Sequence, residues 1–289
     1  MKFVFLILHY KILNETITCI NSILNNYKTN NIEIVIVDNG SQNGTGEIIR
    51  EKYKENNNIH VLINKENLGF ANGNNIGFKY AKDYLNPDFI IMANNDIVFS
   101  QKNFCEKIGT AYNEYNYSVL GPKVIMPNNK DANFTSELNT IRKQKLFIIS
   151  QILRLILAYI FFSYIFDFAR IIYRKFFPKK NNIKSSEIKE NVILYGCCLI
   201  FSKNYIDLFD GIDNRTFLYS EEQLLYIRII KNKLSTLYYP EIQVLHNEGV
   251  STDKTITSKR EKEIFISKNQ IKSGIILLNE LKEFYKNEE

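Results

Sequence analysis

Four short β-branched runs, Phe3–Leu8, Ile32–Val37, Ile59–Ile63 and Phe89–Met92, punctuate the first hundred residues. Helical patterns lie between them near Ile17–Asn25, Gly46–Lys54 and Ala71–Tyr84. Alternation of this kind confines the chain to an α/β fold with a doubly wound, mostly parallel central sheet and helices on both faces. In such sheets ligands bind beyond the carboxyl ends of the strands. The residues that follow the strands are therefore the ones to inspect: Asp38-Asn39-Gly40-Ser41, then Asn64-Lys65-Glu66-Asn67-Leu68-Gly69, then Asn94-Asn95-Asp96. All three polar clusters fall on one edge of the sheet, the pattern a nucleotide site requires. A dinucleotide site is excluded, because its Gly-rich turn should follow the first strand and His9-Tyr10-Lys11-Ile12-Leu13-Asn14 stands there instead.

A second part begins near Val192, with a strand at Leu199–Phe201, a helix near Glu221–Lys231, and strands around Leu234–Tyr239 and Gln243–His246. The tail from Ser258 to Lys286 reads as a long amphipathic helix, with Ile264, Ile271, Ile275, Leu278 and Leu281 at roughly helical spacing. Between the two parts, Leu146–Phe166 is almost wholly apolar, long enough to score as a transmembrane helix. Arg154 interrupts it and basic residues flank both ends, so the charge asymmetry that orients a span is missing. A single crossing would also put Asp96 and His246 on opposite sides of a bilayer.

Charge points the same way. The net +6 is concentrated between Arg142 and Lys180, where nine Lys and Arg face Asp167 alone. Confinement of basic charge to one apolar segment makes nucleic acid a poor partner and anionic lipid a better one. The segment is thus expected to be an amphipathic, membrane-associating helical insertion over 142–180, the plainer reading being a core helix packed on the domain. Four cysteines without CxxC spacing, two of them adjacent (Cys197, Cys198), fit a reduced, cytoplasmic setting. Phe3–Leu8 reads as a strand and not as a signal peptide.

Several residues are typed for chemistry, each with a bland alternative. Asp38 can accept hydrogen bonds from a nucleobase imide or a ribose hydroxyl, or can serve a turn. Asp96, at the end of a buried strand, needs a pair, hydrogen bonds or a metal; it could also cap a helix. Glu221 and Glu222 stand at a helix start behind Ser220, where acids suit the dipole and Ser caps. They could equally supply a general base. His246 follows a strand and is either a metal ligand or structural.

Taken in order, these residues resemble family 2 glycosyltransferases of the GT-A fold, in particular the rhamnosyltransferase-like enzymes of bacterial capsule and O-antigen synthesis. The likeness covers roughly residues 2–125 and 192–255. Val35-Ile36-Val37-Asp38-Asn39-Gly40-Ser41 looks like the first nucleotide motif. Asn67-Leu68-Gly69-Phe70-Ala71-Asn72-Gly73-Asn74-Asn75 is the most specific stretch. Asn94-Asn95-Asp96 stands at the DxD-type metal motif, and Gly196–Phe201 resembles the acceptor-side strand. Glu221-Glu222 occupies the place of the family's Glu-Asp pair, with Arg228 further along that helix. His246, with Gly249 and Ser251, resembles the late His motif. Three positions depart from the pattern: Asn94 for Asp, Glu222 for Asp, and Leu224 for an acid.

The resemblance implies four regions: 1–135, the nucleotide-sugar half; 136–190, the basic apolar insertion; 191–255, the acceptor-side catalytic half; and 256–289, a C-terminal helix. It implies an inverting transferase that takes a dTDP- or UDP-sugar to a lipid-diphosphate-linked or glycan acceptor at the cytoplasmic face of a bacterial plasma membrane. Glu222, with Glu221, would be catalytic. Asp38, Asn39, Asn67, Gly69, Asn74, Asn75, Asn95 and Arg228 would serve the nucleotide and donor. Asp96 and His246 would hold Mg²⁺ or Mn²⁺. The altered metal motif leaves open a non-catalytic sugar-nucleotide-binding subunit. A sugar-1-phosphate nucleotidyltransferase is disfavoured, since no Gly- and Lys/Arg-rich loop follows the first strand.

Overall fold

The computed structural model describes residues 1–27, 31–127, 131–132, 134–135, 137–160, 186–247 and 258–286. Its first half is built from β1 (Phe3–His9), α1 (Leu13–Asn26), β2 (Ile32–Asp38), α2 (Thr45–Lys52), β3 (Ile59–Ile63), α3 (Phe70–Tyr80) and β4 (Phe89–Asn94). The four strands run parallel in the order β3-β2-β1-β4. Both faces of β1, β2 and β4 are covered, which is why these three read as continuous apolar runs, while β3 at the edge is half-buried. Successive side chains point to opposite faces. Phe3, Phe5, Ile7, Ile34 and Ile36 join Ile20, Ile23 and Ile49 of α1 and α2 in one core. Val4, Leu6, Val35 and Val37 join Ala71 and Phe78 of α3 in the other.

The remaining elements are β5 (Ile97–Val98), α4 (Phe104–Tyr115), β6 (Val119–Ile125), β7 (Asp131–Ala132), β8 (Phe134–Thr135), α5 (Ile141–Tyr159), β9 (Lys189–Glu190), β10 (Ile193–Leu194), β11 (Cys198–Ser202), α6 (Lys203–Ile206), α7 (Glu221–Lys231), β12 (Thr236–His246) and α8 (Lys259–Lys286). They extend the sheet to β3-β2-β1-β4-β11-β6-β12-β5. The expected doubly wound core is present, but the extension is mixed: β11 runs antiparallel between β4 and β6, and β5 antiparallel against β12. The two late strands expected from sequence are one strand, β12. Its pairing with β6 shifts register between Tyr239 and Gln243, where Pro240 has no N–H to give to the ladder.

The apolar segment is described only in part. Its described part, α5, ends at Tyr159, and no helix among the described residues is long and apolar enough to cross a membrane. Residues 161–180 of the expected lipid-facing insertion lie outside the described residues. On α5 itself, Gln144, Ile148, Gln151 and Ala158 are buried. Leu146, Ile149, Ile152, Leu153 and Ile156 stay 41–57% exposed. The buried face packs on α8, with Gln144 Nε2 donating to the Gly274 carbonyl at 3.0 Å.

Close packing of α3 sets the depth of the sheet edge where the site forms. A Cβ at Gly77 would stand 2.2 Å from Leu6 Cδ1 and 2.7 Å from Val37 Cγ2, both in the core. A Gly77→Val variant should therefore lose about 1–3 kcal/mol of stability, read as a lower urea midpoint at unchanged m-value.

Candidate active site

Parallel register carries the ends of β1, β2 and β4 to one edge, with His9 level with Asp38 and Leu8 level with Asn94. The loop after β3 is fastened there by Asn39. Its Nδ2 donates to Asn67 Oδ1 and to the Gly69 carbonyl, each at 3.0 Å. Its Oδ1 accepts from Leu68 N at 3.2 Å and from Asn64 Nδ2 at 3.3 Å. Gly69 has φ +83°, and a Cβ on it would lie 2.4 Å from the Phe217 carbonyl. Only glycine suits both conditions, and Phe70 N then donates to that carbonyl at 2.7 Å. The polar loop of the first half and the approach to α7 are thereby locked together.

The turn at Asn94–Asp96 is held just as firmly. Asn94 N donates to the Cys197 carbonyl, Asn247 N to the Asp96 carbonyl, and Asn95 Nδ2 to Thr16 Oγ1 at 3.0 Å. Thr16 also meets the buried His9 ring, whose other nitrogen meets Thr45. Burial pushes the His9 pKa down, partly opposed by the Asp38 charge.

Two cavities open on this edge. One, of ≈ 470 Å³, is bounded by Asn39, Asn67, Gly69, Asn95 and Asp96. That size falls in the range of small-molecule sites. The other is bounded by Tyr195, Gly196, Cys197, Glu221 and Glu222. Phe70, Asn94 and Leu218 line both, so a ligand in one abuts a ligand in the other. Asp38 lies in a third recess with Gln42, Glu47, Asn64 and Lys65, its Oδ1 accepting from the amide and hydroxyl of Ser41.

Asp96 and His246 are brought together across β5 and β12, with Oδ1 and Nε2 3.1 Å apart and both side chains over nine-tenths buried. Among the described residues, Asp96 Oδ1 and His246 Nδ1 find no hydrogen-bond partner. A nitrogen and an oxygen at that spacing can share one divalent ion at ligand distances of about 2.1 Å. Among the described residues no third His, Cys, Asp or Glu completes a metal cluster. Mg²⁺ and Mn²⁺ do not require one, because diphosphate and water fill their remaining positions. The pair therefore fits the expected ion. Gly249 and Ser251 lie outside the described residues.

The carboxylate pair starts α7 on a strained approach, with Tyr219 at φ +76° and Ser220 at φ +72°. Two consecutive non-glycine residues in the left-handed region cost of order 1–3 kcal/mol each. Ser220 sits at the N-cap position, yet its side chain makes no capping bond, contrary to the cap reading. Burial raises Glu221 to about 7, with the Glu222 charge adding and a 3.0 Å bond from Thr216 opposing. Burial likewise raises Glu222, against amide bonds from its own N–H and that of Gly196.

Other expected donor residues are occupied elsewhere. Asn74 is buried and donates to the Phe70 carbonyl. Asn75 grips Ile212 at both its N–H and its carbonyl. Arg228 donates to the Gly211 carbonyl and Tyr205 Oη, and stands 3.7 Å from Asp213. Asn75 and Arg228 face a separate surface recess. They brace the segment leading to Glu221 and do not line the two central cavities. Phe217 and Phe265 do line the larger one. Neither is legible in the sequence, since an isolated Phe carries no positional signal.

The glycosyl transferase family 2 model matches residues 6–204. The chain belongs to that family. A 93-residue stretch is 29% identical to the low-salt glycan biosynthesis hexosyltransferase Agl10 of Haloferax volcanii, covering 32% of this chain and 28% of that protein. Among solved structures, S. aureus TarS 1–349 in complex with UDP aligns over 97% of this chain and 70% of its own at TM-score 0.55 and 15% identity. The mannosyltransferase PcManGT from Pyrobaculum calidifontis, in complex with GDP-Man and Mn²⁺, aligns over 98% and 73% at TM-score 0.54 and 10% identity. These structures share the GT-A fold: a curled sheet flanked by helices.

The raised Glu221 pKa has a thermodynamic signature in the folded protein. Between about pH 4.5 and 7 the folded state binds more protons than the unfolded one, so stability should fall as pH rises through that window and level off above it. In urea titrations across pH 4–9, Glu221→Gln should lack this decrement.

Proposed function

We propose that the protein is an inverting glycosyltransferase that moves a sugar from a dTDP- or UDP-sugar to a lipid-diphosphate-linked or glycan acceptor in bacterial cell-surface polysaccharide synthesis. The observation that carries this reading is the meeting of the two cavities at Phe70, Asn94 and Leu218. The Asp96–His246 pair stands by the larger and the Glu221–Glu222 pair by the smaller. Family membership and the nucleotide-bound fold relatives support it.

In this reading the Asp38 recess takes the nucleobase, and Asn67, Gly69 and Asn95 border the diphosphate and sugar. Glu222 accepts the proton of the acceptor hydroxyl as its oxygen bonds to the anomeric carbon and the bond to the diphosphate breaks. Its raised pKa makes it a stronger base than an ordinary carboxylate once ionised. Thr216 orients Glu221, which borders the same cavity. A divalent ion at Asp96 and His246 would supply charge stabilisation for the leaving diphosphate.

The exposed apolar stripe of α5, with Arg142, Lys143 and Lys145 exposed at its start, supports docking on an anionic membrane at the cytoplasmic face. Sedimentation with phosphatidylglycerol-rich vesicles should be strong and should fall at least about tenfold for Ile149→Ser/Leu153→Ser, since each exposed side chain would lose lipid burial of order 1–2 kcal/mol. Equal sedimentation of the two forms overturns the docking reading.

Titration of UDP-, dTDP- and GDP-sugars with and without Mn²⁺ tests the site. One nucleotide class should bind in a metal-dependent manner, with affinity weakened in Asp96→Ala and kept in Glu222→Gln. Turnover with a lipid-linked acceptor should drop about 10²–10⁴-fold in Glu222→Gln. Binding without turnover in the native protein would identify a non-catalytic binding subunit, and absence of any binding would overturn the assignment.

A further inference from the structure

The larger cavity has an apolar wall that folding alone does not explain. Phe217 is 37% exposed although its backbone is tightly constrained: its carbonyl accepts from Phe70 N at 2.7 Å and abuts Gly69. A rigid backbone that displays a large apolar side chain to an open cavity serves a ligand better than it serves the core. The second aromatic on this cavity is Phe265, contributed by α8, which lies beyond the residues matched by the family model.

α8 is not a loose tail. Ser273 Oγ donates to the Leu218 carbonyl at 2.7 Å, beside Phe217. Glu280 pairs with Arg215 at 2.8 Å and with Lys231 of α7. Arg260 donates to the carbonyls of Ala158 and Tyr159 at the end of α5. The helix is thus fastened on both sides of Phe265, and to the loop that carries Phe217.

The other lining groups include Lys11, Asn67, Asn94, Asn95 and Asp96, which suit phosphates and hydroxyls. A pyranose also has a face of ring C–H bonds that polar groups cannot satisfy and an aromatic ring can. We propose that Phe217 and Phe265 form an aromatic clamp for the apolar face of the donor sugar, so that α8 helps to select which sugar is transferred. This rests on the nucleotide-sugar reading above.

The test compares each nucleoside diphosphate with its sugar nucleotide (UDP with UDP-glucose, dTDP with dTDP-glucose, GDP with GDP-mannose) by calorimetry in Mn²⁺. For the pair that the native protein binds, Phe265→Ala and Phe217→Ala should each weaken the sugar nucleotide about three- to tenfold, and the bare diphosphate less than about twofold. Phe265→Tyr, which keeps the ring, should restore binding. Phe265→Leu keeps apolar volume should the Ala variant fail to fold, and it should behave as a partial loss. Equal weakening of both ligands, no weakening, or a loss confined to the acceptor KM overturns the clamp while leaving the transferase reading intact. Failure of the native protein to bind any pair overturns both.

Discussion

Asn39 sits where β2 ends and spends all four hydrogen-bonding positions of its amide on the loop that follows β3. An Asn side chain has two donors and two acceptor sites, so none is left over. Loss of the amide would strand the buried Gly69 carbonyl and three half-buried partners, at about 1–3 kcal/mol for the buried one. The larger cost would be geometric. Gly69 is placed by those bonds, Phe217 is placed by Gly69, and the Phe217 segment leads directly into the carboxylates of α7. One side chain thereby ties the carboxyl-end edge of the sheet to the approach of the proposed base.

Around that tie the molecule accepts local cost. Tyr219 and Ser220 hold left-handed backbone without glycine, and two carboxyl groups, Glu221 buried and Glu222 half-buried, stand side by side just beyond. Such strain persists where the surroundings over-determine it. Here Phe70 N and Ser273 Oγ grip the carbonyls of Phe217 and Leu218, while Thr216 grips Glu221. The Asp96–His246 pair shows the complementary feature, two buried polar groups whose bonding capacity is unmet among the described residues and that a cation would relieve.

The α5–α8 pair illustrates how composition misleads about burial. The segment's apolar residues suggest a core helix, yet Gln144 and Gln151 face inward and Leu153 and Ile156 face outward. A Cβ at Gly274 would stand 3.2 Å from both Gln144 and Ile148, so the two helices approach closely at a point where glycine leaves room. Hydropathy averaged along the chain cannot report which side of a helix meets a neighbour.

By itself the sequence determined the parallel half of the sheet, because continuous β-branched runs bounded by polar clusters and alternating with helical patterns admit few other arrangements. It also determined the edge on which Asp38, Asn39, Asn67 and Asp96 gather, because side chains after parallel strands must emerge together. The Glu221 start of α7 was legible from its acids and its apolar spacing. The antiparallel entry of β11, the division of labour that turns Asn75 and Arg228 into braces, and the arrival of Phe265 from α8 were not. Each depends on contacts between residues far apart in the chain, 137 positions for Asn75 and Ile212, where no local periodicity or spacing constrains the outcome. Only the packed tertiary structure, which satisfies every such contact at once, could decide them.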